Sequence, residues 1–357
     1  MTDLQDLPLR DSLRGQTPYG APQLDVPIAL NVNENTHGVH PEVQKQILAA
    51  LSDELSGLNR YPDREFRPLR EALADYLGDG LSADNIWAAN GSNEVLQHIL
   101  QAFAGPGRSV LSFGPTYSMY PLLAAGTDSE YIEIPREEGF LLSPEFVAAK
   151  IAQHKPDVVL LCGPNNPTGT TLSREAIIAA YDAFDGVLVI DEAYHEFETD
   201  LPSATTLLNG RPRLAVSRTT SKAFAFAGVR LGYLAADPAF IDALRLVRLP
   251  YHLSALTQAA ALTAVRNAPL MLEAVAEIRA QRALVVAELQ SLGLRPWQSG
   301  ANFLLIDGFD NPSAVFDALL DRGILVRKVA IPGHLRLTIG TAAENKAVLA
   351  ALRDILK

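Results

Sequence analysis

The chain has 357 residues, of which 48% are hydrophobic and 20% charged, with a net charge of −11 and one cysteine. That length buries a core of one large or two smaller domains without disulfide staples, and the proportions are those of a soluble globular chain. The acidic balance argues against a nucleic-acid partner or an anionic membrane, which would repel it at range. No run approaches the roughly 18 apolar residues of a membrane helix, and residues 1–14 lack the apolar core of a signal peptide. Cys162 has no second cysteine to pair with, which fits a reducing, cytoplasmic setting.

The first forty residues are rich in Pro and Asn and lack helical periodicity. They read as an arm laid across another surface, with Tyr19 and Ile28-Ala29-Leu30 as candidates for burial. Apolar residues recur at helical spacing over 42–55, after Pro41, and over 67–77, closed by Gly78. A third helix is expected over 93–103, ended by Gly105-Pro106-Gly107. Short apolar, β-branched segments at 109–113, 130–134, 158–162, 187–190, 214–217 and 230–235 follow. Between several of them lie helical patterns at 117–125, 144–153 and 173–184. Near-continuous apolar strands separated by helices predict an α/β fold, with a mostly parallel sheet covered by helices on both faces. The pattern is helical over 239–249 and over 255–292, the second run long enough to bridge two domains. The tail alternates again, with strands at 303–306 and 335–339 and helices at 312–322 and 343–356. The expected division is an arm at 1–40 that contributes to the small domain, a large domain at 41–250, and an interdomain helix with a small α+β domain at 251–357.

Four loops carry chemistry. Ala89-Asn90-Gly91-Ser92-Asn93-Glu94 opens a helix, where exposed N–H groups and the helix dipole make either a plain cap or an anion seat at Ser92 and Asn93. No glycine-rich dinucleotide or P-loop pattern stands at a strand-to-helix turn. Cys162-Gly163-Pro164-Asn165-Asn166-Pro167-Thr168-Gly169 is a stiff turn after a strand, presenting the Asn166 amide. Val187-Leu188-Val189-Ile190-Asp191-Glu192-Ala193-Tyr194 delivers Asp191 at the end of an apolar strand, where an unpaired carboxylate is costly. Its counter-charge is a remote arginine, a metal or a cofactor cation. His195, and His37 with His40, lack metal-ligand spacing, so no metal is expected. In Ser217-Arg218-Thr219-Thr220-Ser221-Lys222-Ala223-Phe224, Lys222 stands among small and apolar residues, as a structural lysine or as an amine nucleophile of lowered pKa.

In order and interval, Asn-Asn-Pro-Thr-Gly, Asp-Glu-Ala-Tyr, Ser-Lys-Ala-Phe and Gly228-Val229-Arg230-Leu231-Gly232 resemble the fold-type I aminotransferases that use pyridoxal 5′-phosphate. Within that superfamily, several segments resemble histidinol-phosphate aminotransferases. They are Leu30-Asn31-Val32-Asn33-Glu34-Asn35, Arg60-Tyr61-Pro62, Gly91-Ser92-Asn93-Glu94, Pro115-Thr116-Tyr117-Ser118-Met119-Tyr120 and the run from His334 to Thr341. The chain departs from that pattern after Asn35, where Thr36-His37-Gly38 replaces a proline and an aromatic residue.

The resemblance implies that Lys222 bonds covalently to the cofactor aldehyde and later carries the proton. It implies that Asp191 pairs with the pyridine nitrogen, that Asn166 and Tyr194 bind the ring's 3′-oxygen, and that Tyr117 stacks on the ring. Ser92, Asn93, Ser221 and Arg230 would hold the cofactor phosphate, joined by Tyr61 from a second subunit, so that the active site is shared in a homodimer. Arg336 would bind the glutamate or 2-oxoglutarate carboxylate and the phosphate of histidinol phosphate, with Arg327 as second phosphate ligand and Tyr19 closing over it. Asn166 also belongs to the substrate side. The activity implied is amino transfer between L-histidinol phosphate and 2-oxoglutarate in histidine biosynthesis; aromatic amino-acid transamination is the alternative. A lyase or decarboxylase on the same fold is a third option, and a transcriptional regulator would need a basic helix-turn-helix segment ahead of the domain.

Overall fold

The computed structural model describes residues 6–18 and 20–357. The arm contributes a two-residue strand, β1 (Ile28–Ala29), and leads into helices α1 (Pro41–Leu55) and α2 (Arg67–Leu77). Then come β2 (Ile86–Ala89), α3 (Ser92–Phe103), β3 (Ser109–Gly114), α4 (Met119–Gly126), β4 (Glu130–Pro135), α5 (Pro144–His154), β5 (Val158–Cys162), α6 (Arg174–Asp182), β6 (Val187–Asp191), β7 (Leu214–Thr219) and β8 (Gly232–Ala236). Helices α7 (Pro238–Val247), α8 (Ala255–Arg266), α9 (Ala268–Met271) and α10 (Glu273–Ser291) follow. The tail holds β9 (Arg295–Pro296), β10 (Phe303–Asp307), α11 (Pro312–Leu320), β11 (Ile324–Leu325), β12 (Arg327–Lys328), β13 (Leu335–Thr338) and α12 (Ala342–Ile355).

Seven strands form one sheet in the order β2-β8-β7-β6-β5-β3-β4. The strands from β7 to β4 are parallel; β8 runs antiparallel to both β7 and the edge strand β2, which therefore points the same way as the rest. Every residue of β2, β5, β6, β7 and β8 is buried, as expected of a sheet covered on both faces. The chain runs outward from β3 to β4 and then returns past β3 to β5, so the strand order reverses between β3 and β5. Open α/β sheets bind ligands at the carboxyl ends beside such a reversal. Register places Cys162 beside Asp191 and Asp191 beside Ser217 there.

A second, antiparallel sheet, β12-β13-β10-β9, forms part of a separate apolar cluster with α10, α11 and α12. The arm joins this part of the molecule: β1 pairs in parallel with β11, and Leu30 is buried in the same cluster. Ile28 is half-buried and Ala29 exposed.

Several boundaries differ from the sequence reading. The expected helix at 255–292 is three helices. Asn267, at φ −106°, ψ 27°, and Leu272, at φ −101°, ψ 1°, leave helical geometry on either side of α9, and Pro269 stands in the first turn of that short helix. The strand expected at 230–235 begins at Gly232, because Arg230 takes a left-handed conformation after a 3-10 turn. The helix expected at 117–125 begins only at Met119. Strand β2 was not anticipated; four residues carry too little pattern to register.

Gly232 is required where β8 passes the start of α3. A Cβ there would stand 2.1 Å from the Ser92 backbone nitrogen, a neighbour that cannot swing aside. We expect Gly232→Ala to lower the unfolding free energy by about 1–3 kcal/mol, read from urea denaturation. An unchanged midpoint would mean that the loop at 90–93 yields freely.

Candidate active site

A cavity of about 130 Å³ opens at the carboxyl ends of β5, β6 and β7. Strand β6 ends in Asp191, which is buried. The Tyr120 hydroxyl donates to its Oδ2 at 2.9 Å and the Ala193 N–H to its Oδ1 at 3.2 Å. Burial raises the Asp191 pKa to about 6, against the lowering effect of those two donors. No cationic side chain among the described residues contributes to its charge state. Of the three counter-charges considered from sequence, a remote arginine is therefore not what balances it. Nor does any group of three or more His, Cys, Asp or Glu among the described residues suit a metal.

Lys222 follows β7 and lines the same cavity. Its Nζ donates to the Val32 carbonyl at 2.8 Å. Burial lowers its pKa to about 8, with Arg336 and Arg230 adding to the lowering and Glu34 opposing it. An amine so placed is neutral in a useful fraction of molecules near neutral pH, as a nucleophile requires.

The start of α3 supplies the anion seat. Gly91, at φ 86°, turns the chain into the helix, and Ser92 and Asn93 line the cavity. Arg230, at φ 62°, brings its guanidinium so close that a Cβ on Gly91 would lie 2.5 Å from Nη2. Ser221 lines the cavity beside them and accepts a hydrogen bond from the Thr219 hydroxyl at 3.0 Å. Exposed N–H groups, hydroxyls and a guanidinium together suit a phosphate.

The remaining wall is aromatic and amide in character. Tyr117 donates to Asn93 Oδ1 at 3.1 Å and meets Tyr120 edge-on, with centroids 5.6 Å apart. Asn166 Oδ1 accepts from Arg336 Nη1 at 2.5 Å, and Arg336 Nη2 donates to the Asn31 carbonyl at 2.6 Å. Tyr194 is buried, and its oxygen accepts from Asn33 Nδ2 at 2.9 Å. An uncompensated carboxylate, a neutralisable amine and an anion seat around one cavity fit a phosphorylated pyridine aldehyde such as pyridoxal 5′-phosphate.

Two site residues expected from sequence do not line this cavity, and a third is not described. Tyr61 is 81% exposed and stacks on Tyr251 at 4.5 Å, outside the cavity. Arg327 does not line the cavity either, but β12 and β13 set it directly across from Arg336. Tyr19 lies outside the described residues. Sequence reasoning assigned no role to Tyr120 or Asn33. Both fall inside motifs that carried the resemblance, which was the available signal. The departure at Thr36-His37-Gly38 does not line the cavity. The Asn35 amide reaches back to the Ala223 carbonyl at 3.1 Å, whereas His37 Nδ1 stands 4.0 Å from Glu277 Oε2 on α10.

The chain matches the family described as "Aminotransferase class I and II" over residues 25–352. It is 57% identical to a histidinol-phosphate aminotransferase of Paenarthrobacter aurescens, covering 99% of this chain and 96% of that one. Identity to the protein of the same name from Thermobifida fusca is 55%, over 96% and 93%. Among solved structures it resembles histidinol-phosphate aminotransferase from Sinorhizobium meliloti in complex with pyridoxal-5′-phosphate. There the TM-score is 0.83 at 27% identity, over 93% of this chain and 91% of that one. With a family match spanning nearly its whole length and relatives above half identity, this chain belongs to the class I and II aminotransferases.

Proposed function

We propose that the protein is a pyridoxal-phosphate-dependent transaminase that moves an amino group between L-histidinol phosphate and 2-oxoglutarate, giving imidazole-acetol phosphate and L-glutamate in L-histidine biosynthesis. The observation that carries this reading is one cavity in which Lys222, a buried Asp191 without a counter-cation and the α3 anion seat converge.

When bound, the cofactor supplies an electron sink that lets the substrate α-carbon lose a proton. Asp191 holds the proton at the ring nitrogen, and the ring's positive charge is the partner the carboxylate lacks. Tyr120 and the Ala193 N–H keep that carboxylate aimed. Asn166 and Tyr194 bind the ring's 3′-oxygen, Tyr117 packs against the ring, and Ser92, Asn93, Ser221 and Arg230 hold the phosphate. Lys222 anchors the cofactor in the resting enzyme. Its amine, once free, would accept the proton leaving the substrate α-carbon.

Arg336 receives the carboxylate of glutamate or 2-oxoglutarate in one half-reaction. In the other, it shares the phosphate of histidinol phosphate with Arg327. Residues directly opposite on antiparallel strands hold their Cβ atoms about 4.5–5.5 Å apart, so the cross-strand register of the two arginines suits a dianion.

The assembly in this proposal is a homodimer with shared active sites. Exposed Tyr61, Leu55, Leu58, Leu246 and Leu249 lie on segments joined by the Tyr61–Tyr251 stack, an apolar surface that a second copy would cover and from which Tyr61 would reach the partner's phosphate. The domains divide at about residues 40 and 250 of the sequence reading, with α8 contributing to both apolar clusters. The setting is cytoplasmic.

Borohydride reduction of the holoenzyme followed by peptide mapping should find the cofactor on Lys222, and Lys222→Ala should lower kcat by about 10²–10⁴-fold or more. A label on any other residue overturns the assignment. Arg327→Ala should depress kcat/KM for histidinol phosphate at least about 10-fold more than for phenylalanine, a charge-assisted contact being worth roughly 1.5–3 kcal/mol. Equal losses would favour aromatic amino-acid transamination instead.

Asp191 gives a prediction of opposite signs. Its folded pKa of about 6 lies above the ordinary 3.8, so this group's contribution to the apoprotein is full below about pH 4 and is lost as pH rises through 6. Apo Asp191→Asn should therefore be more stable than the apo wild type by about 1–3 kcal/mol at pH 8, with the gap closing near pH 4. The same variant should bind the cofactor more weakly. Calorimetry of apo and loaded proteins reads both; a variant less stable than wild type at pH 8 would contradict the buried-charge argument.

A further inference from the structure

Asn33 lies between β1 and α1 with a left-handed backbone, φ 58°, a conformation that asparagine tolerates better than most side chains. Its polar atoms are fully engaged. The backbone N–H donates to Thr338 Oγ1 at 3.1 Å, and the Thr338 hydroxyl donates back to Asn33 Oδ1 at 3.2 Å. Asn33 Nδ2 donates to the Tyr194 phenolic oxygen at 2.9 Å, and the Asn33 carbonyl accepts from Asn302 Nδ2 at 3.1 Å. Asn33, Tyr194 and Thr338 are all buried, with exposures of 1%, 4% and 1%.

This arrangement has a direction. A phenol has one hydrogen to donate and two lone pairs to accept with. Because the Asn33 amide occupies the Tyr194 oxygen as donor, the Tyr194 hydrogen is available to another acceptor, and Tyr194 lines the cavity. Reversing the Asn33 amide would turn its oxygen toward Tyr194, where it would draw that hydrogen to itself. The Thr338 hydroxyl opposes the reversal by donating to Oδ1. Accepting one hydrogen bond also polarises the phenol, so it donates the next one more strongly.

We infer that Asn33 is a positioning residue: held by Thr338, it commits Tyr194 to donate its hydroxyl hydrogen into the cavity, onto the 3′-oxygen of the bound cofactor. The inference rests on the proposed function for the presence of that oxygen. Thr338 and Arg336 are two residues apart on β13, so they share a face of that strand. One strand thus orients both amide–phenol contacts on the ring, Arg336 through Asn166 and Thr338 through Asn33.

A donor aimed at the 3′-oxygen stabilises negative charge there and favours the deprotonated form of the bound chromophore. The test is a pH titration of the visible absorbance of the holoenzyme in wild type, Asn33→Ala, Thr338→Val, Tyr194→Phe and the Asn33→Ala/Tyr194→Phe double variant. Asn33→Ala should raise the midpoint by about half to one pH unit, a hydrogen bond being worth about that much. Thr338→Val should raise it less, and Asn33→Ala should add nothing once Tyr194 is Phe. An unchanged midpoint in a variant that retains the wild-type near-ultraviolet circular dichroism, or full additivity with Tyr194→Phe, overturns the inference. Should Asn33→Ala fail to fold, Thr338→Val decides alone by the same criterion. A wild-type holoenzyme whose reduced cofactor maps away from Lys222 brings down the proposed function, and this inference with it, a result distinguishable from an unshifted midpoint on a Lys222-bound cofactor.

Discussion

A carboxylate at the end of a buried strand, with no cation beside it among the described residues, is the constraint around which the site is arranged. Asp191 is fixed in place by β6, whose neighbours β5 and β7 run parallel to it and end beside it. Two neutral donors hold the carboxylate without neutralising it, and its pKa stays raised. A structural ion pair would have been the less costly solution for stability. The fold uses one nearby: Arg218, on β7, is buried against Glu192 at 3.0 Å. Side by side, Asp191, without an ion-pair partner among the described residues, and Glu192, with one, separate a position suited to a ligand from a position that serves the fold.

The second requirement is that two apolar clusters meet at the cavity in one geometry. The seven-stranded sheet supplies Asp191, Lys222 and the α3 start, while β13 supplies Arg336 and Thr338. Between them passes the segment after β1, with Asn31, Val32, Asn33 and Asn35 each bonded to one side or the other. Backbone contact adds to this. Gly300 N–H donates to the Gly169 carbonyl at 2.9 Å, and a Cβ on Gly169 would lie 2.4 Å from Ser299 Oγ. The turn that presents Asn166 is therefore docked against the residues preceding β10. Displacing one cluster against the other would therefore strain the Arg336–Asn166 hydrogen bond that spans them.

Much of this was legible in the sequence because it is local. Apolar runs such as Val158–Cys162 and Val187–Asp191 declare buried strands, and the residues at their ends belong to the ligand face of the sheet. Lys222 stood out as a lysine among small and apolar neighbours. What could not be read is set by pairing across long separations. Tyr120 and Asp191 are 71 residues apart, and Asn33 and Tyr194 are 161 apart. Their hydrogen bonds exist only because the sheet order brings them together. Strand β2 escaped for a different reason: its four residues are defined by antiparallel pairing with β8 rather than by their own pattern. The break of the long helical run at Asn267 and Leu272 reflects backbone conformations that apolar periodicity does not encode.

The electrostatics of the molecule run in two senses. The chain carries a net charge of −11, yet at Lys222 Arg336 and Arg230 add to the burial that lowers the amine's pKa, so those two guanidiniums make a positive contribution at that point of the cavity. The same residues that depress the lysine are those that would receive the anionic groups of cofactor and substrate. A phosphate seated at Arg230, or a carboxylate at Arg336, cancels part of the repulsion that favoured the neutral amine. Occupancy would therefore push the lysine back toward its protonated form, the form it would reach in the proposed mechanism on accepting a proton from the substrate α-carbon. Anion binding and base strength are coupled through two named charges. Glu34 adds to this effect, since its charge already opposes the two arginines at the same amine. The acidic exterior disfavours approach of anions at range, but that repulsion is screened beyond about 8–10 Å at physiological salt. Arg230 and Arg336 act within that distance, where anionic groups would meet them directly.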